Sequence, residues 1–527
     1  MKTNRLLLGL MVAGTLFSCT NDDSEFEAPV AVAGETEKSY ITVNVNSAYD
    51  QTRAADYENG TDVEKMVNKA TFFFFDNAGS PFNVSTEIGG TGVNYIVKSG
   101  LGTSDSQNDN VETITEAVLT IEGNKGTNPA KIVAVLNWDY SDASISLSDL
   151  KSTLLDVAEA TSTSNGFVMS NSVYMSGADV MDATPITAAN IATSANDANA
   201  VAVQIYVERL AAKVAVKTSE TDGIYDTGIE NPMASGTNFY AKVINWELNT
   251  TISHSNMVKT ISSGWTDDNL GIVGWSIEAF KRSFWGSSVA VGGNVSLAES
   301  FSWNSISNSV NGVEYCLENT TGKNTKVLVK AQICDENGNA VEVVKFMGDY
   351  INIQGLKNLI ASALASKYYK YDGSAYTSIA SADIDLAQVG TSGVDSYTVT
   401  YFLTSAAEGE TWKVKNDDGT TYSDATVADV NDALSVIPSA QVWNEGMAYY
   451  FTDIKHLGAA GKTAEYGVVR NHSYTVNIAG IAGLGTPVYD PSNEIEEPVT
   501  PTDSESFISA QINVLSWRLV SNDVTLK

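Results

Sequence analysis

The chain has 527 residues, enough for two or three units that each bury a core of their own. Its 31 Lys+Arg against 63 Asp+Glu give a formal charge of −32, a field that repels nucleic acid and anionic lipid. Hydrophobic residues are 43% and charged ones 18%, the balance of folded domains with an acidic surface, while three Cys and three His leave little material for metal or nucleophile chemistry.

Met1 to Arg5 supply the positive region of a secretory signal, Leu6 to Phe17 its apolar stretch, and Leu16-Phe17-Ser18-Cys19 a lipobox. The apolar run is shorter than the roughly 18 to 20 residues a transmembrane helix needs. The expectation is therefore a signal peptide over 1–18 and a lipidated prosegment over 19–53. Acyl chains on Cys19 anchor the precursor at about 0.8 kcal/mol per buried methylene. Thr20 to Glu27 is an acidic tract that resembles the surface-export signal of Bacteroidetes lipoproteins. The precursor is thus expected on the outer membrane, facing outward.

Ser39 to Asn46 alternates Ile41, Val43 and Val45 with polar neighbours, the period of a half-buried strand. After it, Asp50 to Asp56 is polar and small, and its single basic residue, Arg53, offers an Arg-specific protease a cut before Ala54. Thr71 to Phe75, Lys131 to Trp138, Val201 to Val207 and Ala211 to Val216 read as core strands separated by turn signals. Helical spacing occurs at Asp149 to Ala160 and at Gln354 to Ser366, as insertions on a β framework. Ser, Thr, Asp, Gly and Pro232 cluster over Thr218 to Thr237, which predicts a domain break there: an N-terminal β-sandwich over 54–235 and a C-terminal one over 236–486.

Residues 487–527 read as linker and strand. Pro487, Pro491, Pro498 and Pro501 with nearby acidic residues make an extended, self-repelling tether. Beyond it Phe507, Ile508, Ala510, Ile512, Val514, Trp517, Leu519, Val524 and Leu526 form an apolar, β-prone segment that must dock on its own domain or on another molecule. A strand near the start that proteolysis can remove and a tethered strand at the end are the two halves of a donor-strand device. Cleavage after Arg53 would open a groove, and a neighbour's terminal strand would fill it by β-augmentation. Four to six apolar side chains at about 1.5 to 3 kcal/mol each give a joint of roughly 10 kcal/mol before ordering costs. Groove and donor are different surfaces, so such a contact propagates a head-to-tail filament.

The lipobox with Cys19, Gln51-Thr-Arg53-Ala54, Val207-Glu-Arg-Leu-Ala-Ala-Lys-Val214, Tyr315-Cys-Leu-Glu-Asn-Thr320, Gly467-Val-Val-Arg-Asn-His-Ser-Tyr474 and Val514-Leu-Ser-Trp517 together resemble the fimbrillins of Bacteroidales, subunits of the type V pilus. Within that family the stalk subunit of the minor (short) fimbriae is the nearest in pattern. The resemblance implies an all-β chain with minor helical insertions. Two transthyretin-like β-sandwich domains would stand in tandem, followed by a C-terminal donor-strand tail. It further implies cleavage after Arg53 by a trypsin-like protease, Ala54 as the mature N-terminus, assembly by strand exchange through Phe507 to Leu526, and a role in adhesion and biofilm formation. Its partners would be copies of itself, accessory tip and anchor subunits, and host or bacterial surface ligands. Residues 357–394 match nothing in the family pattern. Two rival readings stand beside this one: a monomeric glycan-binding surface lipoprotein, and a fimbrial tip or anchor subunit.

Nothing in the sequence points to an enzyme or a cofactor. His254, His456 and His472 lack a metal-ligand spacing. Asp335 to Asn339 starts like a calcium loop but has Ala340 and Phe346 where Gly and Glu are needed, so it and Asp417 to Thr420 read as turns. If Tyr315 to Leu317 and Val327 to Ile333 form a hairpin, Cys316 lies opposite about Leu328 rather than Cys334, which predicts two free buried thiols. Phosphate-loop, dinucleotide and nucleophile-elbow patterns are absent. Nine Trp and 23 Tyr are expected mainly in cores and on strand faces.

Overall fold

The computed structural model describes residues 39–47, 57–88, 91–101, 103–105, 113–121, 127–172, 174–176, 179–181, 183–192, 202–260, 301–319, 324–456, 461, 465–497 and 517–526. The architecture is all-β with small helical parts. The first unit comprises β1 (Ser39–Ser47), β3 (Lys69–Phe75), β4 (Tyr95–Ser99), β5 (Thr103–Asp105), β6 (Thr113–Ile121), β7 (Lys131–Leu136), β8 (Met169–Asn171) and β9 (Val203–Arg209), while β2 (Tyr57–Glu58) joins another sheet. The order is β4-β3-β7-β8-β9-β1-β6-β5 in a ten-stranded sheet. It curls so that Phe72 and Phe74 of β3 share one core with Leu119 and Ile121 of the distant β6. Phe73 and Phe75 point the other way, into a second core with Leu147, Leu150, Ile252 and Met257. All four phenylalanines are fully buried, which explains why this strand is an unbroken aromatic run: both of its faces are covered.

The second unit begins with β10 (Ala211–Thr218), β11 (Ile224–Glu230), β12 (Asn238–Asn249), β13 (Val313–Leu317) and β14 (Lys326–Cys334). The chain then leaves to build an inserted unit of β15 (Val343–Phe346), β16 (Asp349–Ile351), β17 (Tyr368–Tyr371), β18 (Tyr376–Ser378), β19 (Ile384–Gln388), β20 (Thr398–Leu403), β21 (Trp412–Lys415), β22 (Tyr422–Ala425) and β23 (Ala440–Trp443). It returns through β24 (Met447–Asp453), β25 (His472–Ile481) and β26 (Trp517–Leu526). Two sheets of this second unit, ordered β2-β26-β25-β10-β13 and β11-β12-β14-β24 with Thr486–Pro487 at the edge, enclose a core that includes Val214, Trp246, Val329, Tyr450, Tyr474 and Val476.

The inserted unit has two sheets of its own, β16-β15-β23-β20-β19 and β18-β17-β21-β22. Its core is separate and includes Leu356, Ile360, Val399, Leu403, Trp412 and Val430. The predicted helix at Gln354 to Ser366 is present as α4 (Ile353–Leu364), capped by the Asn352 side chain, and a further helix, α5 (Val427–Ser435), completes the packing. The first unit carries the short helices α1 (Asp62–Lys65), α2 (Leu147–Ser152) and α3 (Val157–Ala160). The stretch 357–394 that stood outside the family pattern is therefore part of a larger insertion. The single helix expected over Asp149 to Ala160 is instead α2 and α3, split by a short strand, Leu154–Asp156.

The chain changes sheet at Leu210, between β9 and β10. The chain from Val203 to Thr218 is a near-continuous β run that steps from one unit to the next, and the turn-rich cluster around it serves hairpins inside the second unit. One expectation about pairing is corrected. Tyr315 to Leu317 and Val327 to Ile333 do not form a hairpin: β13 pairs with β10 in one sheet, and β14 pairs with β12 and β24 in the other. Cys316 and Cys334 are nonetheless both buried and free. Asp335 does build a turn, its carboxylate accepting the backbone N–H groups of Asn337 and Asn339, both at 2.9 Å.

Candidate assembly site

Strand β1 lies inside the first sheet. It runs parallel to β9, from Val43 opposite Val203 to Ser47 opposite Val207, and antiparallel to β6, from Ser39 opposite Ile121 to Asn46 opposite Ile114. The period-2 pattern of Ser39 to Asn46 thus corresponds to a strand paired on both sides. Its neighbours turn Val203, Ile205 and Val207 of β9, with Leu119 and Ile121 of β6, into the core. Taking β1 away would expose two strand edges and the apolar floor between them.

At the other end, β26 runs parallel to β25 from Arg518 opposite His472 to Leu526 opposite Ile481, with a register shift after Ile478. Its first two residues also pair with β2, Trp517 opposite Glu58 and Arg518 opposite Tyr57. The terminal strand is therefore held on its own domain. Of the expected site residues, Trp517, Leu519, Val524 and Leu526 lie in this strand. Cys19, Arg53, Ala54, Phe507, Ile508, Ala510, Ile512 and Val514 lie outside the described residues.

A polar junction joins the units, and it draws Arg209, Lys213, Tyr315, Glu318, Arg470 and Asn471 from the segments quoted above. Arg209, at the end of β9, donates from Nε to the backbone oxygen of Glu64 at 2.9 Å and from Nη1 to Asn471 Oδ1 at 3.1 Å. The Glu64 carboxylate, almost fully buried, accepts Tyr315 Oη at 2.6 Å and pairs with Lys213 at 3.0 Å. Burial pushes the Glu64 carboxyl up, but the Tyr315, Thr61 and Lys213 donors outweigh it and hold the group below its ordinary value. Burial, reinforced by Glu64, pushes the Tyr315 phenol up.

Arg470 donates to Glu318 at 2.8 Å, to Ser255 Oγ at 2.8 Å and to the Asn256 oxygen at 2.9 Å. The fully buried Lys259 pairs with Glu208 at 3.2 Å, and burial lowers its pKa despite that partner. The strand His254–Asn256 pairs with Leu154–Asp156 of the first unit, so the Arg470 hydrogen bonds to this segment, and the Lys259–Glu208 pair to β9, link the two sandwiches. His456 and His472 are brought within 5.3 Å between ring centroids, with His456 Nδ1 bonded to Tyr474 Oη and His472 Nδ1 to the Arg470 oxygen. They are satisfied core groups, whereas His254 is half-buried beside Ser253. No cluster of metal-ligating residues occurs among the described residues, and none of their helices is long and apolar enough to cross a membrane.

Residues 441–523 match the family model for the major fimbrial subunit protein type IV, fimbrillin, C-terminal. No curated protein matches the chain in sequence. Among solved structures the chain is similar to a candidate cell adhesion protein of Parabacteroides distasonis, at 12% identity over 92% of this chain and 96% of that one, with a TM-score of 0.39. It is similar to a fimbrilin of Porphyromonas gingivalis at 13% identity over 93% and 98%, TM-score 0.36. A tip fimbrial protein of the same organism, with a C-terminal truncation, gives 12% identity over 93% and 100%, TM-score 0.32. At these scores the likeness is one of outline.

Proposed function

From the premise that the C-terminal region of this chain, 441–523, is that of a fimbrillin, we propose that the protein is the stalk subunit of a cell-surface fimbria. It is exported as a lipoprotein through Cys19, cut between Arg53 and Ala54, and polymerised by strand exchange. The observation that supports this reading most is the position of β1, which ends six residues before Arg53 and is paired on both sides. One cut would thus free a whole internal strand. The terminal segment of the next subunit, Phe507 to Leu526, would replace it, with main-chain hydrogen bonds giving affinity and alternate side chains setting register. Tip and anchor subunits and an Arg-specific protease complete the partner set.

A second reading draws on the docked β26. A surface lipoprotein that stays monomeric would keep this strand on its own sheet, as it is here. In the stalk reading the same docking stores the donor until assembly and hides its edge from wrong partners. N-terminal sequencing of surface-sheared material, with denaturant-resistant ladders on a gel, separates the two. An Ala54 start with a ladder is expected, and an intact Cys19 start without one would refute the stalk reading. Truncation at Ser504 should leave a folded monomer that no longer polymerises.

A further inference from the structure

The inserted unit gathers four tyrosines on one face of its second sheet. In the sheet β18-β17-β21-β22, Tyr368 and Trp412 face the unit's own core. The opposite side holds Tyr369, Tyr371, Tyr376 and Tyr422. Tyr376 and Tyr422 come from the two edge strands yet stack with centroids 3.9 Å apart and planes within 9°. Tyr371 stacks on Tyr376 at 4.8 Å, and Tyr369 meets Tyr422 edge-on at 5.1 Å. Tyr376 remains 43% exposed.

The rim of this stack is acidic on balance, with Asp372, Asp417, Asp418 and Asp424 against Lys413 and Lys415. Lys413 is paired with Asp424, and its Nζ lies 5.6 Å from the centre of the Tyr371 ring. Asp372 accepts the backbone N–H groups of Ala375 and Ser374 at 2.8 Å, which fixes the β17–β18 turn. Asp418 accepts the Thr421 hydroxyl and the N–H groups of Thr420 and Thr421, which fixes the β21–β22 turn. Asp372, Asp417, Asp418 and Asp424 are all exposed.

Ordered tyrosines set among Ser, Gly and Asn give large, amphipathic contact area at low entropic cost, which is the chemistry of protein-recognition surfaces. Ring faces beside carboxylates favour a cation, and Lys413 over Tyr371 is an internal instance of that preference. A second copy of this chain would bring a surface of like charge against the rim. We propose that the outward face of this four-stranded sheet binds a basic, Arg- or Lys-rich polypeptide segment, its cations meeting the tyrosine stack and the aspartate rim together. The site is independent of the strand ends, so it stands whether or not the chain polymerises.

The test is fluorescence anisotropy with the full chain and a labelled Arg-Gly repeat peptide, a citrulline-Gly peptide of the same length, and a neutral cello-oligosaccharide as competitor. The Arg peptide should bind and the citrulline peptide should not. Tyr376→Ala, which leaves every charge in place, should weaken binding on the order of tenfold, and Asp417→Asn with Asp418→Asn should weaken it and flatten its salt dependence. Leu359→Ala, an exposed apolar change elsewhere on the unit, should leave binding intact, and near-ultraviolet circular dichroism confirms that each variant is folded. If Tyr376→Ala binds as tightly as the parent, the attraction is only the general acidity of the chain and the site is refuted. Displacement by the neutral oligosaccharide, or loss of self-association in Tyr376→Ala, would equally overturn the choice of a basic polypeptide.

Discussion

Arg470 offers the sharpest test of how the two sandwiches are joined. Its guanidinium, 1% exposed, donates to the Glu318 carboxylate, to Ser255 Oγ and to two backbone oxygens of the 255–257 segment. Arg470→Met keeps most of the side-chain volume, so little cavity is made, but Glu318 stays behind as a buried, uncompensated charge. Breaking one side of a buried pair costs about 3–5 kcal/mol, a large part of the roughly 5–15 kcal/mol that holds a domain folded. Glu318→Leu alone and Arg470→Met with Glu318→Leu complete the cycle; the double variant removes the stranded charge and should recover much of the loss. Urea unfolding by tryptophan fluorescence, with hydrogen exchange of residues 254–258 as a local probe, gives all three corners of the cycle against the parent. Exchange in that segment should rise in both variants that lack Arg470, since its donors to Ser255, Asn256 and Met257 are gone in each, and stay near the parent in Glu318→Leu alone. A single variant within about 1 kcal/mol of the parent, or a double variant as weak as the two singles added, would refute the claim that Arg470 and Glu318 form a coupled buried pair at the junction.

Glu64 makes the same junction sensitive to pH. Its folded pKa is lowered, so the stability it contributes is fully present above its unfolded value near 4.5 and is lost as pH falls through the lower folded value. The gap between parent and Glu64→Gln in urea midpoint should therefore be constant at neutral pH and close in acid. Both buried thiols should resist Ellman's reagent in the native state and react on unfolding, since burial raises each, Cys334 to about 11. Phe74→Ala, which empties a fully buried position shared by two arms of the first sheet, should cost about 3–5 kcal/mol in chemical denaturation. Replacing 344–442 by a short Gly-Ser turn should leave the second sandwich folded by circular dichroism, with the lost Tyr350 contact its main penalty.

What the sequence revealed depended on how local the signal was. The alternation in Ser39 to Asn46 marks a strand from its own residues, and the pairing to β9 and β6 bears it out. The helix at Ile353–Leu364 was legible for the same reason. The change of sheet at Leu210 has no such signal, because no turn residue marks it. The Cys316 hairpin failed because nearness in sequence suggested pairing that the two-sheet topology distributes elsewhere. The junction is the clearest case. Its motifs could be seen one by one, but Arg209 and Asn471 are 262 positions apart, and nothing local announces that they meet. The tyrosine stack was hidden likewise, since its closest pair spans the two edges of a sheet.

The insertion leaves and rejoins the second sandwich at one end of an adjacent pair, β14 and β24, which stay in register from Lys326 opposite Asp453 to Gln332 opposite Met447. The body that holds the terminal strand is thus closed without it. Lateral bulk and axial spacing become separate variables: the unit can lengthen, shrink or change its surface without moving either strand that a neighbour would engage. In the filament proposed above it would recur once per repeat, free to diversify while the joints between subunits keep one geometry.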